Sequence, residues 1–564
     1  MNVSASNNVL EELALALERL VFPHERPIGG PGASLRQLLR ASAGRRSLSM
    51  LECKSRSEAG SGATMNARRQ AAAAAGPAAT PGTTRTVLSR SLSWSLLDYG
   101  SQAAFTLVSV VAFSRFLEAA EFGIGTLAVG LVQIGATIVI GLFSDAIVQR
   151  RQLTALHLDT AFVVTLALGA ALGAACWAGA PWVGRLSGMD ALGPVFGWLG
   201  WSLLSTGLSA TPAATLRRDL RFKALAQRSV VSRAAGTITG VAAAATGAGV
   251  WSIVVQQIIT TAIAAVSIWA LAEVRPRFRF SASALRDLTS FGVLSLGIQL
   301  VWTVEARLFF LLVGSFFGPV ALGYMSFASR IVDGFTDTLI AAVNAVALPL
   351  FSRQQGDPDA MRRSLRDVSE FSCAVALPVL AAVVVFAGDI VGPVFGEKWL
   401  PSVALIQLLC LLAILHFLTC GLGVLLSAVG RPGYTMFWGI GRLAFGLGAM
   451  LVWGRTGLLA AAIVWVARYA LTLPLGFALV RRASRIPVRE QLRGTVAPSV
   501  GTLFMVTAIV ALRWRLDAAD PMMEAIAAVA GFAVYAGVVF LLRPALPGLI
   551  FETLTAGLRR RGGG

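Results

Sequence analysis

Charge is the first thing this sequence lacks. Only 14% of its 564 residues are Asp, Glu, Lys or Arg, whereas 56% are hydrophobic, and the mean hydropathy is +0.71. Soluble globular chains carry roughly a quarter charged residues, so a chain this apolar cannot cover its surface in water. Lysine is scarcer still: Lys54, Lys223 and Lys398 are all there is, and arginine supplies the rest of a formal charge of +19. Histidine is limited to His24, His157 and His416, with no H-E-x-x-H spacing, and the five cysteines form no C-x-x-C. A metal site, a metalloprotease and a redox pair are therefore not indicated. No lysine follows a glycine, which removes the phosphate-binding loop and with it ATP hydrolysis. No cofactor is expected.

What is present is a series of long apolar runs between Trp94 and Arg543. A spanning helix needs about 20 apolar residues, and the runs divide into spans near 94–117, 122–145, 158–180, 191–213, 229–247, 250–272, 288–314, 322–350, 368–388, 402–428, 434–453, 457–479, 496–513 and 523–542. The expected fold is thus an all-α polytopic membrane protein of about fourteen helices. Residues 1–85 differ: they are polar, basic and rich in Ala, Gly and Ser, with helical periodicity only from Val9 to Phe22 and no secretory h-region. They read as a disordered arm, or as an over-long start with Met65 the true initiator.

The arginines test the partition independently. With a cytoplasmic N-terminus, the inner loops and tail hold twenty-five basic residues, among them Arg150, Arg217, Arg218, Arg221, Lys223, Arg228, Arg275, Arg362, Arg431 and Arg481. The outer loops hold five: Arg185, Lys398, Arg455, Arg513 and Arg515. That bias through successive reversals is the positive-inside pattern, and it places both termini in the cytoplasm. A nucleic-acid binder would instead gather its basic residues on a soluble face, so nucleic acid is not an expected partner.

An internal repeat runs through these spans. Phe116 to Gly123 (FLEAAEFG) and Phe316 to Gly323 (FFGPVALG) occupy the same hairpin turn, and Arg151-Gln152 recurs as Arg353-Gln354. A fainter echo pairs Arg233 to Gly249 with Arg442 to Gly457. The reading is two six-helix lobes, 90–275 and 286–480, followed by two extra helices at 494–545 and a cytoplasmic tail at 546–564. Facing repeats suggest a transporter with a central cavity.

Charges inside the runs are expensive in hydrocarbon, at least ~2.5–3.5 kcal/mol each, and mark cavities or partners. Glu305 and Arg307 lie in the seventh span. Arg330, Asp333 and Asp337 share a face of the eighth, which Asn344 continues. Arg442 and Arg468 sit within the eleventh and twelfth, and Arg115 near the outer end of the first. Arg330, Arg442 and Arg468 are candidates to line a substrate cavity, with Arg115 and Arg307 nearer its outer mouth and Asn344 alongside. Glu305, Asp333 and Asp337 are candidates for a coupling H+ or Na+, or for structural pairing such as Arg330 with Asp333. The Arg217–Lys223 loop reads as a positive-inside determinant rather than a headgroup site.

Several motifs carry a resemblance. Trp94 to Gln102 (WSLLDYGSQ) followed by Ser114 to Gly123 (SRFLEAAEFG) resembles the opening hairpin of the polysaccharide and O-antigen flippases of the multidrug/oligosaccharidyl-lipid/polysaccharide exporter superfamily. Leu216 to Ala226 (LRRDLRFKALA) and Gly247 to Ser252 (GAGVWS) are similar to its colanic-acid/teichuronic-acid exporter branch. Gly318 to Tyr324, Ala328 to Arg330 and Leu348 to Arg353 match the second-half signature, so the likeness spans about 90–490. Where many relatives carry an acid five positions before the glycine matching Gly314, this chain has Phe309, and its acid, Glu305, lies one turn earlier.

The resemblance implies a carrier, not an enzyme, in the bacterial inner membrane. Its substrate would be an undecaprenyl-pyrophosphate-linked oligosaccharide, moved for exopolysaccharide, capsule or lipopolysaccharide biosynthesis. Membrane lipids and the polysaccharide polymerase and export machinery would be its other partners. The rival readings are export of another cargo (a peptidoglycan lipid precursor, or drug/cation antiport) and a membrane glycan polymerase, ligase or glycosyltransferase. Basic rather than acidic candidates disfavour organic cations, and the short outer loops offer no catalytic cluster. Peptide mapping of the purified protein tests the start: peptides recovered from before Met65 would exclude initiation there.

Overall fold

A computed structural model describes residues 81–544 apart from 151, 274 and 516–520. The helix expected over 9–22 and the tail at 546–564 lie outside the described residues. Among the described residues there are helices and no strands. In chain order they are α1 (Pro81–Phe116), α2 (Ala119–Gln149), α3 (Ala155–Ser187), α4 (Leu192–Leu199), α5 (Trp201–Arg218), α6 (Phe222–Ala245) and α7 (Trp251–Leu271). Then come α8 (Ala282–Arg353), α9 (Pro358–Phe395), α10 (Val403–Phe417), α11 (Cys420–Ala428), α12 (Pro432–Val452) and α13 (Leu458–Ser484). The short α14 (Val488–Leu492) precedes α15 (Val496–Arg515) and α16 (Pro521–Leu542).

Each expected span coincides with helix, with three differences of continuity. The fourth span is divided between α4 and α5 at Gly200, and the tenth between α10 and α11 at residues 418–419. The seventh and eighth are one uninterrupted α8 apart from Gly318, whose φ of 82° and ψ of 177° break the helical path. Only glycine takes that backbone without strain, so the Phe-Gly-Pro hairpin becomes a single-residue hinge. Among the described residues ten segments are long and apolar enough to cross a membrane, with Leu296–Ala341 covering two of the spans. Of the fully described helices in these spans, α5 falls short because Ser, Thr and the terminal Arg217 and Arg218 dilute it, and α6 because it carries Lys223, Arg228 and Arg233.

Several of the loop arginines hold helix ends or acids of neighbouring helices. Arg218 donates to the Ile147 and Arg150 carbonyls, both at 2.6 Å, at the C-terminal end of α2. A cation at a helix C-terminus satisfies orphan carbonyls and opposes the negative end of the macrodipole. Arg150 pairs with Asp287 at 2.9 Å, and its hydrogen bond holds that exposed carboxyl below the usual range. At the next loop Asp357 caps α9. Its carboxylate accepts from the backbone N–H groups of Ala360 and Asp359, both at 3.0 Å, which keeps the acid ionised below the usual range.

The two lobes meet at the repeat itself. Gly123 of α2 and Gly323 of α8, equivalent residues of the two hairpin motifs, lie backbone against backbone. A Cβ built on Gly123 would stand 2.5 Å from the Gly323 nitrogen, and one on Gly323 would collide with the Ala119 carbonyl. Around them Phe122, Phe327 and Trp399 form an aromatic cluster, with Phe327 stacked on Trp399 at 4.2 Å. Trp399 Nε1 donates to the Ser114 carbonyl at 3.0 Å, and Lys398 Nζ to that of Leu117 at 2.9 Å. The lobes are thus closed together at the end remote from the arginine loops.

The substitution Gly323→Ala forces a methyl into the facing backbone, and over-packing of that kind costs about 1–3 kcal/mol. The expected outcome is a lower unfolding temperature for purified Gly323→Ala, measured by differential scanning fluorimetry, with Gly334→Ala, where a Cβ meets open space, changing it far less.

Candidate functional site: a buried arginine–glutamate–arginine cluster

Glu305 lies in the first half of α8, where burial without a partner would be costly. Two arginines reach it. Arg442 of α12 makes a fork-to-fork contact, Nε to Oε1 and Nη2 to Oε2, both at 2.7 Å. Arg468 of α13 donates a third bond, from Nη1 to Oε1. The three residues are 4%, 2% and 4% exposed. Two guanidiniums against one carboxylate leave the cluster one net positive charge.

Aromatic faces share in holding that charge. The Arg442 guanidinium lies over Trp302 at 4.5 Å, Tyr469 at 5.1 Å and Trp438 at 5.8 Å. That of Arg468 stands 3.3 Å from the Trp465 ring centre, and Trp465 stacks on Phe309 at 4.1 Å. The negative faces of these rings favour a cation in a low-dielectric setting. His416 stacks against Tyr469, whose hydroxyl is 2.9 Å from Thr419 Oγ1. Gly446, four residues after Arg442 on α12, leaves the space the Arg468 stem crosses: a Cβ there would stand 2.5 Å from Arg468 Cδ.

These side chains form one wall of a cavity of about 340 Å³ within the second lobe, between α8, α10, α12 and α13. Arg442 Nη1 and Arg468 Nε are buried without a hydrogen-bond partner. Orphan buried donors of this kind are rare in folded proteins. A second cavity of about 170 Å³ lies between α1 and α2 of the first lobe and α8 of the second. Arg307, Phe310, Ser329, Asp333 and Asp337 line both. Asp333 accepts from Ser329 Oγ at 2.6 Å. Arg307 Nε is a further buried orphan, and its stem lies against Gly130, where a Cβ would come within 2.8 Å of Cδ.

The candidates from the sequence therefore separate. Arg307, Arg442, Arg468, Glu305, Asp333 and Asp337 gather on the second-lobe cavity. Arg330 faces the neighbouring cavity, over Phe122 at 5.8 Å, and makes no ion pair with Asp333 among the described residues. Arg115 does not join them: it donates to the Pro393 and Val394 carbonyls at 2.9 and 2.7 Å and so caps α9. Asn344 is exposed and lies outside these two cavities. The aromatic cage and the two seating glycines carry little signal in the sequence, because aromatic residues and glycines in apolar spans are ordinary; the four-residue spacing of Arg442 and Gly446, which puts them on one helix face, is the one available sign.

Removal of Glu305 leaves two buried guanidiniums facing each other, and uncompensated buried charge costs about 3–5 kcal/mol. Glu305→Ala is expected to lower the unfolding temperature of detergent-purified protein more than Arg442→Met, which leaves a neutral Glu305–Arg468 pair. Equal shifts in the two variants would contradict the charge assignment.

Comparisons with known proteins agree on the type of chain. The family described as polysaccharide biosynthesis protein matches residues 112–404, more than half of the sequence. The chain is 25% identical to the teichuronic acid biosynthesis protein TuaB of Bacillus subtilis, over 60% of this chain and 70% of that one. It is 24% identical to the succinoglycan biosynthesis transport protein ExoT of Rhizobium meliloti, over 76% and 86%. Among solved structures it superposes on the lipid II flippase MurJ with a TM-score of 0.64 and 12% identity, covering 80% of this chain and 99% of that one. An inward-facing multidrug MATE transporter gives a TM-score of 0.52 at 16% identity, over 70% and 94%. At such identities the structures establish the fold alone. The helical fold, its membrane-spanning segments and the family match together make this chain a member of the polysaccharide biosynthesis protein family.

Proposed function

We propose that the chain is a flippase. It moves undecaprenyl-pyrophosphate-linked oligosaccharide repeat units across the bacterial inner membrane, from cytoplasm to outer face, with both termini cytoplasmic. The observation that carries this reading is the net-positive cluster of Arg442 and Arg468, whose spare N–H groups are buried in the wall of a membrane-embedded cavity beside Arg307. Pyrophosphate needs cationic donors in fixed geometry, and guanidinium supplies paired N–H groups that match phosphate oxygens. The glycan travels in the cavities while the prenyl chain remains in lipid.

Closure at the Gly123–Gly323 contact suits a carrier resting open toward the arginine loops, and Gly318 offers the hinge for alternation. Asp333 and Asp337, facing both cavities beside Arg307, are the acids placed to exchange a coupling H+ or Na+ as the lobes move. The net-positive Arg442–Glu305–Arg468 wall disfavours organic cations, which sets this reading above drug/cation antiport.

In a strain lacking the chromosomal copy, the wild-type gene is expected to restore surface polysaccharide and clear accumulated lipid-linked repeat units. Arg307→Gln, outside the Glu305 cluster, is expected to cut that export at least tenfold at normal protein level. Full surface polysaccharide without accumulation in the deletion strain, with no second exporter of the family present, would sink the proposal.

A further inference from the structure

The first lobe holds a polar cavity of its own, about 300 Å³, enclosed by α2, α5, α6 and α7. The hydroxyls of Thr206, Ser232, Thr260 and Thr261 each donate to a carbonyl of their own helix, at 2.7–3.2 Å. Their oxygens therefore meet the cavity as acceptors. Gln133 and Gln257 line the same space, and their side-chain amides make no hydrogen bond among the described residues, so both keep donors and acceptors available. Acceptors and amides without an acid describe a surface for a polyhydroxy ligand, because each sugar hydroxyl both gives and takes a hydrogen bond.

At the start of α6 lies a second, different space. An open groove of about 510 Å³ is walled by Trp94 of α1, Val230 and Val231 of α6, and Ala270 and Leu271 of α7. One residue lines both the apolar groove and the polar cavity, and it is Arg228. Its neighbours are all engaged. Arg233 is held by Asp98 at 3.0 Å and Gln102 at 2.8 Å, Arg221 by Glu273 at 2.7 Å and Arg217 by Ser144 at 3.0 Å. Arg228 forms no hydrogen bond or ion pair among the described residues, and its Nε is buried. An unpaired guanidinium between hydrocarbon and hydroxyls is costly unless an anion meets it there.

We infer that this junction is the loading site for the lipid-linked substrate, an inference that rests on the flippase reading above. The order in space, apolar groove, lone guanidinium, hydroxyl-lined cavity, matches the order of groups along a polyprenyl-pyrophosphate-linked saccharide. The prenyl chain lies against Trp94 and Val231, the phosphate nearest the lipid meets Arg228, and the first sugars enter the cavity. Arg228 stands beside the Arg217–Lys223 loop, on the side from which such a substrate is supplied. The polar cavity shares Val129 and Gln133 with the interlobe cavity, which in turn shares Arg307 and Asp333 with the second lobe. Loading at Arg228 and transit past Arg307 are thus two ends of one polar track.

The test is binding of undecaprenyl-pyrophosphate-linked glucose to the full-length protein in phosphatidylethanolamine nanodiscs. Arg228→Ala is expected to weaken binding at least tenfold, with Arg228→Lys regaining part of it. Val231→Trp, which fills the groove from a lipid-exposed position, is expected to weaken it comparably while the elution profile and helical content stay those of wild type. Excess phosphatidylglycerol is expected to leave the probe in place. Wild-type affinity in both Arg228→Ala and Val231→Trp would overturn the loading site alone. So would displacement by phosphatidylglycerol as readily as by unlabelled probe, since the groove would then hold ordinary lipid. Failure of the wild-type protein to bind the probe would overturn the flippase reading and the loading site with it.

Discussion

A guanidinium placed in hydrocarbon costs several kcal/mol unless something meets it, and the arrangement of this protein follows from how each arginine is met. Those at the loop end find water, anionic headgroups or the carbonyls that terminate a helix, as Arg218 does at α2. Those within the spans have only what the neighbouring helices bring. In both lobes the answer is an acid on the first helix set against an arginine on the fifth: Asp98 with Arg233, and Glu305 with Arg442. The internal repeat thus appears in the ion pairing as well as in the hairpin turns.

The lobes then diverge. The first-lobe pair is partly exposed, with side chains about a quarter open to solvent. The second-lobe pair is sealed, joined by Arg468 and enclosed by Trp302, Trp438, Trp465 and Tyr469. Adding the third charge changes what the site can do. A neutral pair is a structural fastening, whereas this cluster keeps one charge in excess and orphan donors at a cavity wall, and the proposed anion site rests on that difference. The glycines complete the arrangement: Gly130 and Gly446 let long arginine stems lie against helix backbone, and Gly123 with Gly323 brings the lobes into contact.

Much of the fold was legible in the sequence because hydrophobic length and arginine bias are properties of the chain itself. The fourteen apolar runs coincide with helix, and the hairpin repeat that relates Phe116–Gly123 to Phe316–Gly323 is the place where the lobes touch. Half of the site was legible for the same reason, since a charge in an apolar run declares itself. Its partner does not. Nothing in the sequence distinguishes Arg115, which caps α9, from Arg468, which completes the cluster, or says that Arg330 and Asp333, on one face and lining one cavity, form no ion pair.

The sequence by itself determined the class, the number of apolar runs and the gathering of arginines in the loops between them, because each depends on residues close together in the chain and on their transfer from water to lipid. Only the tertiary structure decided which buried charges neutralise one another, which retain a charge to offer, and which cavities join. Those outcomes depend on distances between side chains more than a hundred residues apart, set by helix packing across and within the lobes.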